Sequence, residues 1–328
     1  MKRLAAVALA LAVVLGALYL IPSDHYLLLP DPARAVDPLV QVPGERRSAE
    51  EETGNGIYMV DILVRRANLL ERVVPEVEDG ASLAPAEAIN PAGVSDSQRR
   101  QQSLNDMSRS QEVAVTVALR ELGHRVRVDR TGAEVDTVVP GRPADGELEV
   151  GDVIVEARGQ RVRSPEDLQR AMEPVRPGDE VELSFLRGDD RRTLTLPTVA
   201  AEDDRERAIV GVGVVAAATF DFPIDVKIDA GDIGGPSAGL AFALGVTDEL
   251  GDDIDGGRRI AVTGTLDLDG SVGQIGGVKQ KAIGARRANA DLFLVPDENA
   301  EEARRNAEGL EIVAVSTFEE ALEALEQR

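Results

Sequence analysis

Two short stretches of this chain place together residue types that can break a peptide bond without a cofactor. The first is DAGDIGGPSAGL, which begins at Asp229 and carries Ser237. A serine hydroxyl is a poor nucleophile until a base takes its proton. Ser237 follows Pro236 where a strand should give way to a helix, and free N–H groups and the helix dipole favour negative charge there. A tetrahedral intermediate is an oxyanion, so backbone N–H groups near Gly235 and Ser237 would supply part of its binding site. A plain N-cap is the competing role for a serine after proline. GGPSAG alone leaves both roles open.

The second stretch is GGVKQKAIGA, from Gly276 to Ala285. Of 36 basic residues only Lys2, Lys227, Lys279 and Lys281 are lysine. Arginine stays protonated in proteins, whereas a buried lysine can lose its proton. Two of those four lysines fall in this one helix start, and helix geometry separates them because residues two apart do not face each other. Lys281 shares a face with Val278, Ala282, Ala285 and Ala288, a small-residue surface suited to burial. Lys279 lines up with Ile283 and Arg286, nearer solvent. A lysine desolvated on an apolar wall becomes a neutral base near pH 7, which selects Lys281.

The elements that must hold these residues read as alternating strands and helices from about residue 210 onward. Strands are expected over 210–215, 224–228, 260–263 and 292–295, and helices over 237–250, 278–289, 300–307 and 318–327. That alternation is α/β. Before it, residues 124–199 change to short strands around one helix at 165–172, with Ser164 as its N-cap. Further upstream, residues 57–64 (IYMVDILV) read as one strand, 75–102 as polar and turn-rich, and 107–122 as a helix stopped by Gly123.

Residues 4–21 carry no charge and are long enough, at about 1.5 Å per residue, to cross most of a bilayer core. Lys2 and Arg3 precede the run and Asp24 follows it, so the positive-inside rule puts the N-terminus in the cytoplasm. A cleaved signal peptide is the rival reading. The run exceeds a usual signal core and its end lacks a small-x-small site, so an uncleaved anchor is expected.

Composition excludes several functions. Formal charge is −23, from 59 acids against 36 bases, which repels phosphate backbones and argues against a nucleic-acid partner. Cysteine is absent and the only histidines are His25 and His124. Thiol nucleophiles, disulfides and a histidine-rich metal site are therefore out, and neither a metal nor a cofactor is expected. No Gly-Lys-Ser or Gly-Lys-Thr occurs, so no P-loop supplies ATP hydrolysis.

Taken together, GPSAG and GGVKQK resemble the proteolytic domain of Lon proteases. The resemblance covers roughly residues 210–328 and assigns Ser237 as nucleophile and Lys281 as general base. VTGT, from Val262 to Thr265, continues the match, and Thr263 falls where the family places a hydroxyl near the lysine. Gly235 and Pro236 support the nucleophile turn. Many Lon enzymes carry an acid three residues before the serine. Here Gly234 stands there, and Asp232 is left outside the catalytic set. GELEVGDVIVEARGQRV and SPEDLQRAM resemble a PDZ domain, which takes an extended peptide as an added strand. That likeness places the groove between residues 133–139 and 165–172. With the anchor, the whole is similar to bacterial PDZ-containing Lon-like proteases.

The expected architecture is an α/β (α+β) Lon-type proteolytic domain with an inserted, β-rich PDZ domain and an N-terminal transmembrane helix. In order, residues 1–22 are a cytoplasmic tip and anchor, 23–55 a tether, and 56–123 a segment packing with the protease domain. The PDZ domain spans 124–199 and the Lon-type domain 200–328. The resemblance implies a serine endopeptidase; the missing P-loop makes it ATP-independent, and the charge pattern around residues 4–21 makes it a single-pass membrane protein with its catalytic domain outside the cytoplasm. It would act on unfolded or flexible polypeptide substrates, hold a peptide or C-terminal tail in the PDZ groove, and assemble as a homo-oligomer. The alternative is a catalytically idle, membrane-tethered PDZ scaffold that binds peptide tails.

Overall fold

A computed structural model of the chain describes residues 2–42, 54–75, 78–90 and 94–326. They fall into two compact units. One comprises Met1–Pro91, Met107–His124 and Ile224–Arg328, and the other Ala92–Asp106 and Arg125–Pro223.

The first unit is built on a five-stranded sheet. Strands Gly56–Met59, Arg259–Val262, Leu292–Pro296 and Glu311–Val315 run parallel as successive neighbours, and Arg34–Ala35 pairs antiparallel on the outer edge. Strands covered on both faces read as continuous apolar runs. LFLVP at 292–296 is such a run, buried at all five positions. Helices Val278–Arg287 and Asp297–Asn306 close one hydrophobic cluster, in which Val278, Ala282 and Ala285 meet Val60, Ala261 and Phe293.

Three expectations need correction. IYMVDILV is two strands, not one. Gly56–Met59 enters the parallel sheet, while Ile62–Asn68 pairs antiparallel with Pro22–Pro30, and the chain turns between them at Val60 and Asp61. Second, residues 23–42 are no tether. Pro22–Pro30 is the middle strand of a three-stranded sheet, because Tyr26 and Leu27 bury and both backbone edges find partners. The rest of the expected tether, 43–53, lies outside the described residues. Third, the turn-rich reading of 75–102 misses a strand at Ser82–Pro85 and a helix over Asp96–Glu121. The first turns of that helix lack apolar periodicity, but its 26 residues contain neither glycine nor proline to stop them. Residues 76–77 and 91–93 of that stretch lie outside the described residues.

The second unit is a sheet in the order Asp190–Pro197, Glu180–Arg187, Val153–Ala157, Arg127–Val138, Val212–Asp221, with Gln160–Arg161 paired to Val153–Ala157. Helix Pro165–Met172 covers it and buries Leu168 and Ala171. Ser164 caps that helix as expected, accepting a hydrogen bond from the Asp167 N–H. Strand Val212–Asp221 belongs here rather than with the C-terminal domain, where the sequence reading placed residues 210–215. It pairs with Arg127–Val138 along its whole length, and that register commits its backbone to this sheet.

Lys2–Leu20 forms a helix. Among the described residues, no helix is long and apolar enough to cross a membrane.

Candidate active site

The chain reaches Ser237 through Gly235, whose φ of 92° is open to glycine but strained for other residues. Pro236–Ala238 then makes a single 3₁₀ turn that runs into helix Gly239–Leu250, so Ser237 stands in the turn and not in the helix proper. Ser110, on the helix Asp96–Glu121, donates to the Pro236 carbonyl at 3.1 Å. A Cβ at Gly239 would come within 2.8 Å of the same Ser110 hydroxyl, so close packing there requires glycine.

Lys281 lies one turn into helix Val278–Arg287, whose N-cap Gly277 is left-handed. Its amine is 2.7 Å from the Ser237 hydroxyl and 2.9 Å from the Thr263 hydroxyl. The side chain is 2% exposed, and Thr263 is fully buried at the end of strand Arg259–Val262. Burial pulls the Lys281 pKa down to about 8, against the opposing charge of Asp61. At pH 7 roughly one amine in ten is then neutral, enough to accept a proton from a hydroxyl in contact. Ser237 itself is half-buried, so a substrate can reach it while the lysine behind it stays dry.

The hydrogen bonds also orient the amine. Thr263 donates its one proton to the backbone carbonyl of Ser237 at 3.1 Å, and the Gly264 N–H donates to the same carbonyl at 2.9 Å. The Thr263 oxygen must then accept from Lys281. A neutral amine that donates to Thr263 keeps its lone pair for Ser237. The arrangement can therefore activate a hydroxyl for acyl transfer.

Residues 121–198 match the PDZ domain family, and residues 212–327 match the Lon protease (S16) C-terminal proteolytic domain. Lon protease 2 of Bacillus subtilis is 29% identical over 164 residues, which is 44% of this chain and 30% of that protein. Lon protease of Rickettsia felis is 36% identical over 108 residues, 31% of this chain and 14% of that protein. The match to a solved PDZ domain, from an SdrC-like protein of Listeria monocytogenes, covers 26% of this chain and 88% of that one, at 23% identity and a TM-score of 0.24. The chain joins a PDZ domain to a Lon-type proteolytic domain, the pairing found in PDZ-containing Lon-like proteases. It spans less than a third of the length of these curated Lon relatives. Its C-terminal domain is a serine peptidase domain of the S16 family. The Lon match starts at residue 212, yet strand Val212–Asp221 is paired into the sheet of the other unit.

In this chain Ser237, Lys281 and Thr263 meet, with Gly235 and Pro236 shaping the turn. Lys279 points elsewhere, donating to the Ala81 carbonyl at 3.3 Å. Ile283, expected near solvent beside Lys279, is instead buried, because Gly80 packs over it. Asp232 is exposed.

Sequence reasoning missed Asp61. Val60, before it, joins the cluster containing Val278 and Ala282, and Ile62, after it, lies where a Cβ on Gly277 would clash at 2.9 Å. Asp61 is thus held against the lysine helix from both sides. Desolvation pushes its carboxyl pKa up, and the Lys281 charge pulls it down. A lone acid inside an apolar strand pattern was the available signal.

The PDZ groove also differs from expectation. Strand Arg127–Val138 is bonded to Val212–Asp221 on one edge and, at Ala133 and Glu134, to Val153–Ala157 on the other. From Ala133 to Val135, in the stretch expected to line the groove, both edges are bonded and no further strand can be added. Val212–Asp221 is one of the two edge strands of this sheet, and a groove of about 610 Å³ lies beside it, walled by Leu168 and Met172 of the helix and by Val212 and Val214 of the strand.

Proposed function

We propose that this chain is a membrane-anchored, ATP-independent serine endopeptidase in which Ser237 is the nucleophile and Lys281 the general base. The observation that carries this reading is a buried amine, with its pKa drawn down to about 8, in hydrogen-bond contact with the hydroxyl of a serine on a glycine-led turn. Ser237 attacks the substrate carbonyl carbon as its proton passes to Lys281. The N–H groups near Gly235 and Ser237 receive the oxyanion. Lys281 then protonates the leaving amine, which departs and leaves an ester on Ser237. A water gives its proton to Lys281 and attacks the ester, and the proton returns to Ser237 as the acid product leaves.

Thr263 is the positioning residue for the amine. The groove between Pro165–Met172 and Val212–Asp221 recruits an unfolded or flexible polypeptide by its tail, added as a strand. Anchoring rests on helix Lys2–Leu20, where Leu9, Val13, Val14 and Leu20 stand exposed, behind a basic N-terminal end. Orientation with the catalytic domain outside the cytoplasm, and assembly as a homo-oligomer, belong to the same proposal.

The test is cleavage of an unfolded fluorogenic protein by the full chain in detergent. Ser237→Ala and Lys281→Ala should each abolish turnover while keeping the fold. A serine-reactive phosphonate should label the chain and fail to label Ser237→Ala. A folded protein that takes no label and cuts nothing, yet binds peptide tails, would instead be a scaffold.

A further inference from the structure

We propose that the PDZ-bearing unit holds a second peptide site, an arginine-lined slot that takes an acidic, extended polypeptide segment. Strand Arg127–Val138 pairs with Val212–Asp221 throughout, but its pairing with Val153–Ala157 is confined to Ala133 and Glu134. The other edge of residues 127–131 is therefore uncovered. The short strand Gln160–Arg161 is bonded to Val153–Ala157 alone, which leaves it an uncovered edge as well. A cleft of about 850 Å³ is lined by residues of both strands.

Five arginines line it: Arg127, Arg130, Arg161, Arg163 and Arg191. The acids in its wall are Asp129 and Glu156. Each is already paired, with Arg127 at 3.0 Å and Arg191 at 2.8 Å. Five bases less two acids leaves three positive charges, on a chain whose formal total is −23. Arg130, Arg161 and Arg163, all exposed, form no ion pair within 4 Å among the described residues, and the nearest acids acting on Arg130 and Arg163 are Glu166 and Asp167 of the neighbouring helix.

Guanidinium forks match carboxylates and phosphates alike. Uncovered strand edges decide between them, because main-chain N–H and C=O groups seek another main chain. A compact phosphate would leave those edges unmet. An extended acidic segment satisfies edges and guanidiniums together, and the slot is separate from the apolar groove beside Pro165–Met172. The site is read by binding alone, so it stands or falls independently of catalysis by Ser237.

The probe is a fluorescein-labelled peptide of alternating Glu and Ser with an amidated C-terminus, titrated onto the full chain in detergent and followed by anisotropy. It should bind at least about tenfold more tightly than its Gln-for-Glu counterpart, with an affinity that falls as salt rises. Arg130→Glu with Arg161→Glu should remove that preference, while a free-ended apolar tail peptide still binds the other groove. If the double variant no longer holds the tail peptide, its fold is lost, and the comparison of Glu and Gln peptides on the native chain decides by itself. Equal affinity for those two peptides would overturn the proposal. So would an unchanged preference in a folded double variant. Binding of phosphatidylglycerol vesicles or inorganic phosphate without binding of the acidic peptide would assign the slot to phosphate and overturn it too.

Discussion

The Thr263 hydroxyl donates to the backbone carbonyl of Ser237 at 3.1 Å and accepts from Lys281 at 2.9 Å. One side chain thus fixes both the turn that carries the hydroxyl and the amine that is to deprotonate it. Removing the oxygen while keeping the volume isolates that role. Thr263→Val should lower kcat by about 10–100-fold with KM little changed, consistent with the loss of positioning at a reacting group. Thr263→Ser should keep most of the rate. Steady-state kinetics on a short fluorogenic peptide separates the two parameters.

The pH dependence follows from the lysine. Because Lys281 is active as the neutral amine, kcat/KM should rise with pH through about 8 and level off above it. The Asp61 carboxylate raises the Lys281 pKa, with Asp31 and Arg34 acting on Asp61 in turn. Asp61→Asn removes a charge that favours the ammonium, so the acid limb of the profile should move to lower pH. A purely structural loss would lower the rate at every pH and leave the limb in place.

Burial of Lys281 also has a stability sign. Its folded pKa, about 8, lies below the ordinary value of 10.5, so the unfolded chain binds more protons between those values. Stability from this group therefore rises across that window, and the cost is fully present below about pH 8. Lys281→Met should stabilise the fold by about 1–3 kcal/mol at pH 7, after allowing for the lost hydrogen bonds. The gain should vanish by about pH 10.5, and denaturant titrations at both pH values check it.

Ser110 acts on the turn from outside the cluster. Ser110→Ala leaves the Pro236 carbonyl without its side-chain donor, which costs about 1–2 kcal/mol and should reduce kcat several-fold. Gly239→Ala, which places a methyl against that same hydroxyl, should be worse. Thermal melts alongside kinetics distinguish loss of fold from loss of turn geometry.

Recruitment separates from chemistry at the apolar groove. Met172→Glu puts a charge in its wall and should weaken tail-peptide binding by at least about tenfold. Hydrolysis of a short peptide that does not use the groove should be unaffected. Isothermal titration and a peptidase assay on the same protein read the two effects.

Much of this molecule was legible in linear order. Apolar runs and glycine stops located helices Pro165–Met172 and Val278–Arg287 and strand Leu292–Pro296, because local periodicity and caps act over a few residues. The lysine was selected from helix spacing, and its burial and contact with Ser237 are features of the folded chain. The strand Glu311–Val315 went unread between two helices, since its four apolar residues, Ile312 to Val315, also suit a buried helix segment.

Residue chemistry and local periodicity can be read along the chain: a serine on a glycine-led turn, a lysine on a small-residue face, and no thiol or P-loop. Which distant segments became neighbours depends on how the whole chain packs. Asp61 comes within electrostatic reach of Lys281 because IYMVDILV breaks between two sheets, and the PDZ groove lies on Val212–Asp221 because that strand takes the edge of Arg127–Val138. Strand pairing is non-local, so which edge stays free depends on segments far away in the chain.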